Sequence, residues 1–374
     1  MSILNCKTEL IGGLCIKLVS KLMVGLLAFS LSAFIAGCSQ EQKDANAPAS
    51  MQQMLADKAS KAEVKQDFMP VNEIKEGRKN VYAVIKVIKG DYWQEVVNGL
   101  KAGGDAADCN VYVGGPFKEM DWETQRSMLE ELGDKKADAV ILAPSDSLKL
   151  IPTAEAVQKK QLPLVLIDTG LNSKSYDAAF MTNNYVAGTK AAAEMLKLLR
   201  DNGVQENASA TIAIKVSSLT SQNMVERVEG INAYWQANAP ASWKLDSKVL
   251  VDFGDKDLST KLGEEAMANI SDLKGFIGCN NRAAVATANA IKNSKRKDVM
   301  LVAFDYSKEV AELIADPELK AVSIAQNQYQ MAVEGVKAAA AMVKGEKLAQ
   351  ADVDTGVEVV NISNHKDFEA RHKK

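Results

Sequence analysis

Residues 81–107 read VYAVIKVIKGDYWQEVVNGLKAGGDAA. Val81–Val87 is a short apolar run of strand length, and Trp93–Ala107 carries the helical period. Between them lies Gly90-Asp91-Tyr92-Trp93, a turn with a carboxylate and two aromatics. From Asn80 onward this unit recurs. Apolar runs such as Val111–Gly114, Ala139–Ala143, Leu164–Ile167, Thr211–Val216, Gly275–Cys279, Val299–Phe304 and Ala321–Ala325 alternate with amphipathic stretches such as Tyr185–Leu199, Ser221–Gln236 and Tyr329–Lys344. Runs apolar on both faces, separated by helical segments, predict parallel sheets built from βαβ units. There are too many runs for one ordinary open sheet, and the length suits two lobes. A closed eight-stranded barrel is the rival arrangement.

In open α/β sheets ligands bind beyond the carboxyl ends of the strands. The residues that follow the runs are rich in Asp, Asn and Gln, with aromatics beside them. They include Pro144-Ser145-Asp146, Asp168-Thr169, Thr182-Asn183-Asn184, Asn280-Asn281-Arg282, Asp305-Tyr306 and Gln326-Asn327-Gln328. Such groups pair with the donors and acceptors of hydroxyls, while aromatic faces cover apolar ring faces. The same residue types also serve as turn formers and helix caps.

The 374 residues are 47% hydrophobic and 25% charged, with a net charge of −3 and a pI near 5.7. That is globular composition with no basic footprint for nucleic acid. The two histidines, His365 and His372, stand at the extreme C-terminal end. Histidine is the usual neutral-pH base and a common metal ligand. The body of the chain therefore offers no His-dependent catalytic or metal site. Neither a G-x-G-x-x-G after a strand nor a G-x-x-x-x-G-K occurs, so nucleotide binding has no motif and no cofactor is expected.

At the other end, Lys17 and Lys21 precede the uncharged stretch Leu22–Ala36. This is the pattern of an export signal, shorter than a spanning helix needs. It ends in Ile35-Ala36-Gly37-Cys38, which resembles a bacterial lipobox. That resemblance implies cleavage before Cys38, lipidation of its thiol, and a membrane-anchored, extracytoplasmic protein facing the periplasm or the cell exterior. Residues 38–79 read as a polar tether. Cys109 and Cys279 sit in apolar strand contexts and are expected to be buried free thiols.

From Asn80 to about Asn361 the chain resembles the type I periplasmic binding proteins of sugar transporters, the ribose- and galactose-binding group. The resemblance rests on motif order. Tyr92-Trp93 falls at the paired aromatics after the first strand, and Ala143-Pro144-Ser145-Asp146 at an N-P-x-D turn. Leu166-Ile167-Asp168 falls at the strand end whose aspartate binds sugar hydroxyls. Thr182-Asn183-Asn184 with Gly188 falls at the crossover, and Glu226–Gly230 at an R-x-E-G segment. Cys279-Asn280-Asn281, Ala303-Phe304-Asp305 and Ile324-Ala325-Gln326 complete the series. The family pattern has asparagines at positions 90 and 143 and an arginine at position 169; this chain has Gly90, Ala143 and Thr169.

The resemblance implies two Rossmann-like lobes with parallel sheets flanked by helices, joined by a three-strand hinge. Lobe one would comprise 80–182 plus 326–351, lobe two 183–325 plus 352–364, with 365–374 a C-terminal tail. It implies a ligand set of Tyr92, Trp93, Asp168, Arg227, Asn280, Asp305 and Gln326. Asp91, Asp146 and Asn183 are candidates for replacing the missing polar groups. The implied function is non-enzymatic capture of a small sugar-like ligand by a monomer, with delivery to an ABC permease. A sensor kinase or chemoreceptor is the alternative partner, and the particular sugar is left open.

Overall fold

The computed structural model describes residues 65–372, apart from Lys295. The expected signal sequence, Cys38 and most of the expected tether lie outside the described residues. Two open sheets take up nearly all the strands, so the barrel arrangement does not apply. The first sheet contains β1 (Gln66–Pro70), β2 (Lys79–Val84), β3 (Cys109–Gly115), β4 (Ala139–Leu142), β5 (Leu164–Ile167) and β6 (Ala178–Met181). The second contains β7 (Ala210–Val216), β8 (Trp243–Leu245), β9 (Leu250–Val251), β10 (Leu273–Gly278), β11 (Met300–Phe304) and β12 (Ala321–Gln326). The chain then returns to the first sheet with β13 (Asp352–Asp354) and ends the second with β14 (Val357–Val360).

The order in the first sheet is β1-β3-β2-β4-β5-β6-β13, parallel except for β1. In the second it is β14-β12-β11-β10-β7-β8, with β9 also on β7, parallel except for β14. The central strands β4, β5, β11 and β12 are buried along their whole length, which is why they read as unbroken apolar runs.

Helices cover both faces. In the first lobe α1 (Asp91–Ala107) packs beneath the sheet, and α2 (Trp122–Glu131) and α3 (Ile151–Lys159) lie on the opposite face. In the second, α4 (Asn184–Asp201) and α5 (Gln222–Asn238) pack on one face. On the other lie α6 (Lys256–Asn269) and α7 (Asn281–Asn293), with α8 (Lys308–Ala315) beside α7. Helix α9 (Gln328–Val343) leaves the second sheet after β12 but packs with α1 on the first.

The chain therefore crosses between sheets three times: after β6, after β12 and after β13. The crossings are tied together. Thr355 N donates to Met181 O at 3.0 Å, and Asn183 N to Asp354 Oδ1 at 2.9 Å. Gln326 stands opposite Val357 in the β12–β14 register.

The structure departs from the sequence reading at three edges. Gln66–Pro70, expected within the tether, is a strand paired antiparallel to β3, with Phe68 edge-on to Tyr82 at 5.0 Å. Asp352–Asp354, expected in lobe two, pairs with β6 of the first sheet. The expected C-terminal tail holds α10 (His365–His372), whose buried Phe368 packs on Tyr306 at 4.7 Å. Each element buries only one or two apolar side chains, too few to leave a periodic signal.

The α4–α5 pair approaches closely through Gly188 and Gly230. A Cβ at Gly188 would overlap the Arg227 carbonyl oxygen, and one at Gly230 the Tyr185 carbonyl oxygen. Gly188→Ala must separate the helices. Overpacking of this kind typically costs about 1–3 kcal/mol. A lowered melting temperature together with weaker ligand affinity is expected; an unchanged melting temperature would show that the helices absorb the methyl.

Candidate functional site

The carboxyl ends of both sheets face a common cavity of about 70 Å³. That is several times the roughly 10–15 Å³ one water needs. From the first lobe, the loop after β2 and the start of α1 bring Lys86, Gly90, Asp91, Tyr92 and Trp93, and the end of β5 brings Asp168. From the second, α5 brings Asn223, Met224 and Arg227, the β10–α7 junction brings Asn280 and Asn281, and the end of β11 brings Asp305. Gln326, at the crossing after β12, completes the wall.

Two aspartates occupy equivalent places in the two lobes. Asp168 follows β5 with φ 65°, and Asp305 follows β11 with φ 68°. Left-handed backbone is uncommon for a side-chain-bearing residue, and such outliers cluster at ligand clamps. Asp168 Oδ1 accepts the Tyr92 hydroxyl at 2.6 Å. Its Oδ2 accepts Thr169 Oγ1 at 2.7 Å and faces Lys86 Nζ at 2.9 Å. Burial pushes this carboxyl up, but Lys86 and the hydrogen bonds from Tyr92 and Thr169 outweigh it and hold it below its ordinary value. Asp305 Oδ1 accepts Gln326 Nε2 at 2.6 Å, and Oδ2 accepts the Asn281 backbone N–H at 2.9 Å. Here burial wins over the nearby Arg227, and the carboxyl is raised. Burial, with Asp168 and Asp305 beside it, also pushes the Tyr92 phenol well up, so it stays a donor.

Arg227 is only 1% exposed. Nε donates to Asn184 Oδ1 at 2.9 Å, Nη1 donates to the Cys279 carbonyl at 2.5 Å, and the guanidinium lies 4.3 Å above the Phe304 ring. Its Nη2 has no protein partner, nor do Asn281 Nδ2 and Gln326 Oε1. Unspent buried donors and an acceptor at one cavity are what a hydroxyl-bearing ligand, which both donates and accepts, can satisfy. The Tyr92 and Trp93 rings form an edge-to-face pair at 5.3 Å, and both are buried.

The lobes meet on both sides of the cavity. Ser221 Oγ donates to the Ser145 carbonyl at 2.7 Å, and Gln222 N to Ser147 Oγ at 2.9 Å. On the far side Lys308 N approaches Asp91 Oδ2 at 3.4 Å.

Of the residues singled out from sequence, Asp91, Tyr92, Trp93, Asp168, Arg227, Asn280, Asp305 and Gln326 line the cavity. Asn280 does so while its Oδ1 also caps α7 through the Ala283 N–H at 2.9 Å. Asp146 and Asn183 do not line it. Asp146 Oδ1 is occupied by the Leu148 and Lys149 N–H groups at 2.9 and 2.8 Å, an Asx turn. Asn183 caps α4 through the Val186 N–H at 3.1 Å and sits on a crossing.

Sequence reasoning passed over Lys86, Lys89, Glu119 and Asn223, and named Asn281 and Arg282 only as part of the turn after β10. Lys86 lay inside an apolar run, where a buried lysine was itself the signal. It supplies a cation at Asp168, beside the threonine that replaces the family arginine. Gly90 has φ 102°, so an asparagine there would be strained. Altogether four cationic side chains, Lys86, Lys89, Arg227 and Arg282, line the cavity with four carboxylates, Asp91, Glu119, Asp168 and Asp305.

Residues 81–347 match the family model described as a periplasmic binding protein domain. The chain belongs to that family. Its curated relatives include the D-allose-binding periplasmic protein of Escherichia coli K12, 22% identical over 282 residues, covering 71% of this chain and 84% of the relative. The Ribose import binding protein RbsB of Bacillus subtilis 168 is 24% identical over 234 residues, covering 61% and 70%. Among solved structures, an ABC transporter solute binding protein from Agrobacterium vitis with bound D-fucose superimposes with a TM-score of 0.70 at 27% identity, covering 78% of this chain and 98% of that one. A carbohydrate transporter solute binding protein from Agrobacterium radiobacter in complex with D-arabinose gives 0.72 at 22% identity, covering 80% and 99%. The cavity of this periplasmic binding protein thus lies between two lobes of a shared fold.

Cys109 and Cys279 are buried and unbridged. Burial pushes the Cys109 thiol up to about 11 and the Cys279 thiol up to about 12, so neither offers a thiolate.

Lys86→Met should leave Asp168 a buried, unpaired carboxylate. Removing one member of a buried pair costs about 3–5 kcal/mol. In the parent, the lowered Asp168 contributes stability that is complete above its unfolded value near 3.9 and lost only as pH falls through its lower folded value. Without Lys86, burial is opposed only by the Tyr92 and Thr169 hydrogen bonds, so the carboxyl rises from its parent value and its stabilising contribution is lost at a higher pH on acidification. Melting curves between pH 4 and 7 that match the parent throughout would show that Lys86 does not balance Asp168.

Proposed function

We propose that the protein is an extracytoplasmic solute-binding lipoprotein that captures a small sugar between its lobes and delivers it to an ABC permease. It performs no chemistry on the sugar. The observation that carries this reading is a cavity walled by both lobes, with two left-handed aspartates and three unspent buried polar atoms facing neither bulk solvent nor protein partners. The charges lining it cancel, which suits a neutral polyhydroxylated ligand. The relatives named for allose and ribose, and the neighbours holding fucose and arabinose, belong to the same class of solute.

Asp168 and Asp305 accept sugar hydroxyls, and Arg227 and Asn281 donate to sugar oxygens. Tyr92 and Trp93 cover the ring. The first lobe offers one half of the set and the second the other, so a bound sugar favours the closed arrangement by its differential affinity. The three tied crossings, near 182, 327 and 355, serve as the hinge. The protein acts as a monomer, held to the membrane through a lipidated Cys38, and the permease reads the closed face.

Thermal melts with allose, ribose, fucose and arabinose test the capture. A sugar at about 100 times its dissociation constant adds about 2.7 kcal/mol of stability. One sugar class should raise the melting temperature saturably, and Trp93→Ala should abolish the rise while still melting cooperatively. A response confined to amino acids or nucleosides would keep the fold and overturn the sugar. Separately, Cys38→Ser should move the protein from the membrane fraction to the soluble fraction; retention in the membrane would refute the lipid anchor.

A further inference from the structure

A second cavity, of about 630 Å³, lies beside the hinge and is nine times the size of the first. That is within the roughly 300–1,000 Å³ of small-molecule sites. Its walls come from α1 of the first lobe, α8 of the second, the crossing at 326–329 and α10. Helix α10 lies beyond residues 81–347 that match the family model.

The lining combines three features. Tyr306, Tyr329 and Phe368 supply aromatic surface. Asp91, Glu95, Glu312 and Glu369 supply carboxylates, against Lys308 as the one lysine or arginine. Gln328 and His365, 8% and 7% exposed, each hold a buried polar atom without a hydrogen-bond partner, Oε1 and Nδ1. The glutamine oxygen accepts, and so does Nδ1 when the ring proton sits on Nε2. The Tyr306 hydroxyl is already used, donating to Glu369 Oε1 at 2.9 Å. The two unpartnered acceptors call for a donor, and four carboxylates against one lysine favour a donor that is positively charged.

We propose that this cavity is a second ligand site, for a small organic cation: a protonated amine on an aromatic or apolar body. The ammonium is drawn by the carboxylates and lies over aromatic faces. It also supplies donors for Gln328 and His365. Asp91 and Gln326 line both cavities, and the walls belong to both lobes. An occupant thus holds the lobes in their present arrangement, and by linkage the two ligands strengthen one another's binding. The site itself does not depend on what the first cavity binds.

The test is a ligand-observed NMR titration of the purified protein with benzylamine, benzyl alcohol and sodium benzoate at neutral pH. Benzylamine should bind saturably and at least tenfold more tightly than benzyl alcohol, with benzoate not binding. Ala311→Trp, which projects an indole into the cavity, should abolish benzylamine binding. Glu312→Lys, on an exposed helical position, should weaken it at least tenfold, and this second variant decides the matter if the first does not fold. Saturable binding of none of the three, equal binding of amine and alcohol, or binding unchanged in a folded variant would each overturn the proposal. Sugar melts on the same samples separate the two readings: amine binding without a sugar response removes the sugar function and leaves this site standing.

Discussion

A buried guanidinium organises the carboxyl edge of the second lobe. Arg227 reaches from α5 to Asn184 at the start of α4, to the carbonyl that ends β10, and to the ring that ends β11. Burying a charge is costly unless its donors are met, and here Nε and Nη1 each have a partner while Nη2 has none. The close helix contact at Gly188 lies against the same residue's backbone. Helix spacing is thus set by the backbone of residue 227, while its side chain ties two strand ends and one wall of the cavity, where Nη2 has no protein partner.

The first lobe solves the corresponding problem differently. Its strand-end aspartate is balanced by Lys86 from β2's trailing loop and by Tyr92 from α1. The second lobe's aspartate is held by a backbone N–H and by Gln326 from the crossing. Both share the same left-handed backbone. One carboxyl is held down and the other pushed up, so two chemically identical side chains present different basicities to one cavity.

The alternation of runs and helices made the paired sheets legible, because central parallel strands are apolar on both faces. Motif order carried Tyr92, Trp93, Asp168, Arg227, Asn280, Asp305 and Gln326 to one cavity. Asp146 and Asn183 were misplaced because the chemistry that binds a hydroxyl also closes an Asx turn or caps a helix. Nothing local distinguishes the two uses. Lys86 was hidden by its apolar neighbours, β1 and β13 by having at most half-buried apolar residues, and α10 by burying a single apolar side chain, Phe368. Edge elements need only one covered side, and short polar-rich segments of three to eight residues cannot announce that.

The equality of charges around the cavity has a consequence for the medium in which the protein works. Attraction between exposed charges fades over about 10 Å at 0.1 M salt, and steering by a net field fades with it. A cavity whose cations and carboxylates cancel, and whose strongest pair at Lys86 and Asp168 is out of reach of dissolved ions, projects little field to lose. Association and retention of an uncharged solute then proceed almost alike in dilute and in brackish surroundings. A protein outside the cytoplasm, with no control over the salt around it, keeps a constant affinity by internal neutrality.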